Sequence, residues 1–335
     1  MVAPLSSGAL PRTTSAAERA AAGLPHRVAH MAVVGSLNMD LVLTLERMPQ
    51  AGETVLAQTL QSTPGGKGGN QALACARQGA EVTLFASVGR DQPGNQLRLA
   101  LHAAGINVEH VAVQESVPTG TAVVMVEPGG ENRICVVAGA NAELVLPEEA
   151  LLYALAQADF LLLQLEVPDA VVLQALQAAH SAGCRVVLNP SPVRMLPAAW
   201  WPLVHTLVVN AQEAAALTGL EVDGPAAAQQ TCQALLARGV QQVVLTLGAQ
   251  GAVAGVARGS PRHHAALDLP VVDTTGAGDS FLGAMVTRLA EGDSLADAVD
   301  WGIRAASLCM GKAGAQPSIP TRAQVEALAL VRELE

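Results

Sequence analysis

Apolar residues fall along this chain in two alternating patterns: short unbroken runs, and longer stretches with apolar positions three and four apart. The runs Met31–Leu37, Val82–Val88, Asp159–Leu165, Arg185–Asn189, Thr206–Val209 and Gln242–Leu247 predict strands buried on both faces. The periodic stretches Gln92–Ala104, Pro147–Gln157, Asp169–Ala182, Gly224–Arg238, Ser294–Met310 and Thr321–Glu333 predict helices, and others begin near Ala72 and Phe281. Strands alternating with helical crossovers call for an α/β fold with a mostly parallel central sheet covered by helices on both faces. Two weaker pairs break this rhythm. Leu41–Leu45 and Thr54–Thr59 flank Pro49 and Gly52, and Thr121–Glu127 and Arg133–Val137 flank Pro128-Gly129-Gly130. They predict a small additional β element built from about 38–62 and 118–138.

Polar residues interrupt the apolar pattern at informative places. Asn38, Glu166, Asn189, Asn210 and Thr246 stand at predicted strand ends, and a parallel sheet gathers those ends on one edge, where ligands bind. Each is also a common cap or turn former. Pro64-Gly65-Gly66-Lys67-Gly68-Gly69-Asn70-Gln71 runs straight into a helix, with more glycine than a turn requires. It lacks the Lys-Ser/Thr of a Walker A loop. Asp273-Thr274-Thr275-Gly276-Ala277-Gly278-Asp279 opens a second helix, whose first amide groups form a natural anion site. Asp279 reads two ways: as a carboxylate favouring the helix dipole, or as a base beside bound phosphate.

Composition narrows the classes. The 335-residue chain is half hydrophobic but only 2% aromatic, so its core is built of Ala, Val and Leu. A net charge of −10 disfavours a generic nucleic-acid or anionic-membrane binder, and no apolar run is long enough to span a bilayer. Five scattered cysteines show no zinc or redox spacing and suit a reducing cytoplasm. Lysine occurs only at Lys67 and Lys312, both within glycine-rich motifs. Residues 1–27 predict a disordered extension ahead of a domain over 28–335, with Met31 a candidate natural start.

Taken in order, Gly35-Ser36-Leu37-Asn38-Met39-Asp40, Gly65–Gln71, Gln164-Leu165-Glu166, Asn189-Pro190-Ser191-Pro192, Asn210-Ala211-Gln212-Glu213, Thr246-Leu247-Gly248, Asp273–Asp279 and Gly314-Ala315-Gln316-Pro317-Ser318 resemble the ribokinase-type superfamily of carbohydrate kinases. The resemblance runs from Met31 to about Leu330. It implies ATP-dependent phosphorylation of D-ribose at its 5-hydroxyl, with the β element serving as a lid over the sugar and as the contact of a homodimer. Ser36, Leu37, Asn38, Asp40, Gly66, Lys67, Gly68, Asn70 and Glu166 are then expected on the sugar. Asp279 is expected as the base, with the Gly276, Ala277 and Gly278 amides as the anion hole. Asn210, Thr246, Leu247, Gly248, Ala249, Gln250 and Gly251 are expected on the nucleotide together with Gly278 and Asp279, and Glu213 is expected to influence Mg²⁺ and phosphate through water. Asp273, Thr275, Cys309, Lys312, Gly314 and Ser318 match loops around an activating K⁺, largely through carbonyls. Lys312 and Ile303 depart from the commoner residues at their positions. The same chemistry on deoxyribose, fructose or a nucleoside, and a sugar-binding protein without catalysis, are the competing expectations.

Overall fold

The computed structural model describes residues 27–128 and 132–333. The expected N-terminal extension, Arg27 apart, lies outside the described residues. Nine strands form the main sheet. From its centre outward on one side stand β1 (His30–Val34), β4 (Glu81–Gly89) and β5 (Val111–Gln114). On the other side follow β8 (Phe160–Leu163), β9 (Arg185–Leu188), β10 (Thr206–Asn210) and β11 (Gln242–Thr246), all parallel to β1. An antiparallel pair, β12 (Ala252–Val256) and β13 (Arg262–His264), finishes that edge.

The strands are apolar throughout because both faces are covered. In β1, Met31 and Val33 enter one core cluster while Ala32 and Val34 enter the other; Phe160 and Leu162 divide from Leu161 and Leu163 in the same way in β8. The first cluster lies under α1 (Lys67–Arg77), α7 (Ala277–Glu291) and α8 (Leu295–Met310), and also takes in α2 (Gln92–Ala103). The second lies under α3 (Glu148–Gln157), α4 (Asp169–Ala182), α5 (Ala211–Thr218) and α6 (Pro225–Leu236). The short α9 (Ala315–Ser318) and the final α10 (Arg322–Glu333) close the chain.

A separate four-stranded sheet stands over the C-terminal edge in the order β3-β2-β6-β7. It is formed by β2 (Asn38–Thr44), β3 (Thr59–Gly65), β6 (Gly120–Val126) and β7 (Asn132–Val137). β2 pairs antiparallel with β3 but parallel with β6.

Three expectations are corrected here. The second strand of the lid is Thr59–Gly65, not Thr54–Thr59: the sequence Thr-Leu-Gln-Ser-Thr-Pro-Gly carries little apolar signal because the lid is poorly buried, whereas Leu56 in the expected strand is 91% exposed. Asn38 and Asp40 are not at the end of the first sheet strand. β1 stops at Val34, and both residues belong to β2, so the lid itself brings them to the site. Gly68 and Gly69 do not precede a helix but form its first turn, which starts at Lys67.

Candidate active site

The first wall of the site is the start of α1. Gly66 takes φ 85°, and a Cβ there would stand 2.7 Å from Asn38 N, so only glycine lets the helix start lie against the β1–β2 turn. Glu166, beyond the end of β8, accepts from Lys67 N at 3.0 Å and from the Ser36 hydroxyl, tying the sheet edge to the helix start. Ser36 O accepts from Gly69 N at 3.0 Å. Buried Asn141, absent from the sequence expectations, pins the same turn: Leu37 N donates to its Oδ1 at 2.8 Å, and its Nδ2 donates to Asn38 Oδ1 at 2.8 Å. Leu37 itself is fully buried and presents only its backbone here.

The second wall is the start of α7. Gly276, in the left-handed region at φ 78°, turns the chain into the helix against Ala315. Of the three amides expected in the anion hole, Ala277 N–H already donates to Thr274 O at 3.2 Å. The amides of Gly276 and Gly278 make no such backbone bond among the described residues, and a Cβ on Gly278 would meet open space. Asp279 is 7% exposed and does not cap its own helix. Its Oδ2 accepts from Asn70 Nδ2 and its Oδ1 from Gln71 Nε2, each at 2.9 Å. The carboxylate is therefore held by α1, across the cleft, which a mere helix-start residue would not require.

Charge gathers between the two walls. Asp40 is pushed up to about 7, first by burial and then by Glu166 and Asp279, against the pull of Lys67. Among the described residues its Oδ1 is buried without a hydrogen-bond partner, as is Asn70 Oδ1. Burial pushes the Lys67 ammonium down, but Asp279, Glu166, Glu213 and Asp40 together outweigh it and hold the group above its ordinary value. Asn38 and Glu166 share a cavity of about 330 Å³ with Val136 and Pro168. Asp40, Thr63 and Val124 of the lid face Asp273, Thr275 and Gly314 across a cleft of about 530 Å³.

Beyond α7 the cleft becomes apolar. Thr246, Gly248 and Gly251 line one side of a pocket, with Leu247, Ala249 and Gln250 completing the turn between them. Phe281, Ile303, Ala306, Ser307 and Met310 line the other side. The sequence expectations missed most of these, although 303, 306, 307 and 310 show the spacing of a single helix face. Asn210 and Glu213 lie apart from the pocket lining. They form a reciprocal capping box at α5, with Asn210 N donating to Glu213 Oε2 at 2.9 Å and Glu213 N to Asn210 Oδ1 at 2.8 Å.

The cation loops meet through Asp273. Its Oδ1 accepts from Thr275 N at 2.9 Å and Oγ1 at 2.7 Å, and its Oδ2 accepts from Gly314 N at 2.7 Å. Burial raises this carboxyl, but those donors prevail and hold it below its ordinary value. Asp273 is thus a brace between two loops. Cys309 is fully buried, its Sγ 3.0 Å from Ser318 Oγ and 3.8 Å from Thr275 O. Lys312 is exposed, with its N–H bonded to Cys309 O at 3.1 Å.

A polar chamber, a glycine-rich helix start and an apolar pocket along one sheet edge are what a sugar, a phosphate and a nucleobase require. The profile of the pfkB family carbohydrate kinases matches residues 28–322. The chain belongs to that family. As a member it is a sugar kinase, a phosphotransferase with an alcohol group as acceptor. It is 37% identical to a ribokinase of Staphylococcus aureus (strain COL), covering 88% of this chain and 97% of the relative. It is 38% identical to a ribokinase of Haemophilus influenzae, covering 87% and 95%. The structure of Arabidopsis thaliana ribokinase complexed with ribose and ATP superposes with a TM-score of 0.83 at 33% identity, covering 90% of this kinase and 99% of that chain. The α/β sheet and separate lid are thus the fold of this family.

Proposed function

We propose that this kinase transfers the γ-phosphoryl group of ATP to the 5-hydroxyl of D-ribose, giving D-ribose 5-phosphate. The observation that carries the reading is Asp279: a buried carboxylate at a helix start, held by two amides from the element that walls the sugar chamber. The ribokinases among its relatives, one of them solved with ribose and ATP, support the acceptor and the donor.

Asn38, Asp40, Asn70 and Glu166 offer carboxylate and amide groups to a small polyol, and the orphaned oxygens of Asp40 and Asn70 want hydroxyl partners. Asp279 takes the proton of the attacking hydroxyl as transfer proceeds. The Gly276 and Gly278 amides, with the α7 dipole, meet the charge developing on phosphate. Closure of the lid would exclude water that could otherwise accept the phosphoryl group.

Mg²⁺ would arrive with ATP and neutralise phosphate charge. Among the described residues no group of three or more His, Cys, Asp or Glu could hold a metal, which fits an ion kept mainly by phosphates and water. An activating K⁺ fits the loops at 273–275 and 309–318, where a carboxylate, carbonyls and hydroxyls converge. A homodimer through the lid is favoured by strand register, which puts Leu41, Leu43, Leu60, Val123 and Met125 together on the lid face turned from the site. Among the described residues no helix is long and apolar enough to cross a membrane, and a cytoplasmic location is in keeping with five free cysteines. An ADP-release assay over pentoses, 2-deoxyribose, hexoses and nucleosides tests the acceptor. D-Ribose should give the highest kcat/KM; a nucleoside or hexose ahead of it would overturn the assignment.

A further inference from the structure

Gln71 is fully buried in α1, and in the scheme above it enters only as one of the two amide donors to Asp279. Its Nε2 donates to Asp279 Oδ1 at 2.9 Å and to Asn189 Oδ1 at 3.3 Å. Its Oε1 accepts from Gln164 Nε2 at 2.6 Å. Asn189 Nδ2 donates in turn to the carbonyl of Val208, in β10, at 3.1 Å. Each link has one polarity. A backbone carbonyl can only accept, so Asn189 must turn its Nδ2 to Val208 and its Oδ1 to Gln71. Gln71 must then present Nε2 to Asn189, and the other hydrogen on that nitrogen reaches Asp279. Gln164 completes the chain by donating to the one acceptor Gln71 possesses. The β1–β2 turn is shaped around this amide: a Cβ on Gly35 would stand 2.1 Å from Gln164 Oε1.

We propose that Gln71 is a positioning residue for phosphoryl transfer, which fixes Asp279 Oδ1 as a hydrogen-bond acceptor and so leaves Oδ2 to take the sugar proton. This rests on the reading of Asp279 as the base. Oδ1 faces a donor that cannot turn away, because Asn189, itself fixed by the Val208 carbonyl, and Gln164 hold it from both sides. Oδ2 faces Asn70, whose own Oδ1 is buried without a partner and whose side chain can re-pair with a sugar hydroxyl. As a lone pair of the hydroxyl oxygen forms its bond to γ-phosphorus, the hydroxyl proton passes to Asp279 Oδ2. The bond from γ-phosphorus to the bridging oxygen breaks, and its electron pair leaves with ADP.

Steady-state kinetics on Gln71→Met, Gln71→Glu, Asp279→Asn and the double variant Gln71→Met/Asp279→Asn test this, with thermal melts confirming folding. Gln71→Met keeps length and removes all three polar contacts, so kcat should fall about 100-fold, the cost of a misaligned reacting group. KM for ribose and for ATP should stay within about threefold, since the lost contact acts on the transition state. Gln71→Glu keeps the shape but reverses the polarity and should be slower still. In the Asp279→Asn background Gln71→Met should cost less than about twofold, because residues acting as a unit are not additive. A full loss in that background, or a Gln71→Met enzyme with kcat within about twofold of the parent, would overturn the proposal. If Gln71→Met does not fold, Gln71→Glu and Asn189→Leu carry the same comparison. Near-normal turnover in Asp279→Asn alone would instead defeat the base assignment, so the two failures are distinguishable.

Discussion

Among the described residues Asp40 Oδ1 is buried with no hydrogen-bond partner, whereas Asp279 has an amide donor on each oxygen. The two carboxylates thus differ in the way the proposed roles require, one to receive a ligand and one to move a proton. Asp40 binds its proton more tightly in the folded chain than in the unfolded one. Its contribution to stability is therefore fully present below the ordinary carboxylate value and lost as pH rises toward about 7. Asp40→Asn should relieve that penalty, stabilising the ligand-free protein by on the order of 2–4 kcal/mol at pH 8 while weakening sugar binding. At pH 4 the two proteins should melt alike. A variant no more stable than the parent at pH 8 would contradict the burial argument. At this scale the sequence pointed to Asp279 but could not choose between its two readings. The donors that favour the base reading come from residues 70 and 71, more than two hundred positions away. Asn141 was invisible for a related reason: an Asn after a strand is ordinarily a turn former, and only the fold shows it grips Leu37 and Asn38.

Two helix starts, α1 and α7, face each other across the cleft, and the loops at 273–275 and 312–315 brace the second of them. Since Asp273 joins those loops through Thr275 and Gly314, what steadies them steadies the amides at 276 and 278. Replacing Na⁺ by K⁺ should raise kcat, with the sugar KM little changed. Equal rates in both salts would argue against a cation site there. The buried strands and their helices were legible because burial on both faces forces apolar runs, as in Phe160–Leu163. The lid strand Thr59–Gly65 was not, because a sheet open to solvent imposes no such pattern. β12 and β13 were missed because Ala252–Val256 and Arg262–His264 are short and include glycine and charge.

The molecule as a whole places a lid carrying Asn38 and Asp40 over a sheet edge carrying Glu166, with Asp279 at the start of α7 beside them. Binding sugar would therefore draw the two sheets together. The proposed homodimer would cover the lid's outer face, where Leu60 is 64% exposed. Sedimentation should find a dimer for the parent and a monomer for Leu43→Asp/Leu60→Asp; a monomeric parent at micromolar concentration would refute the lid interface. The order of motifs made the family legible from Met31 onward, whereas the shift of Asn38 and Asp40 from sheet to lid needed the strand register.

The most direct test of the account is turnover of Asp279→Asn with D-ribose and MgATP, measured by ADP release alongside ribose binding. The account predicts that kcat falls by about 10²–10⁴, the usual share of a general base, while ribose still binds. Turnover close to that of the parent would contradict it.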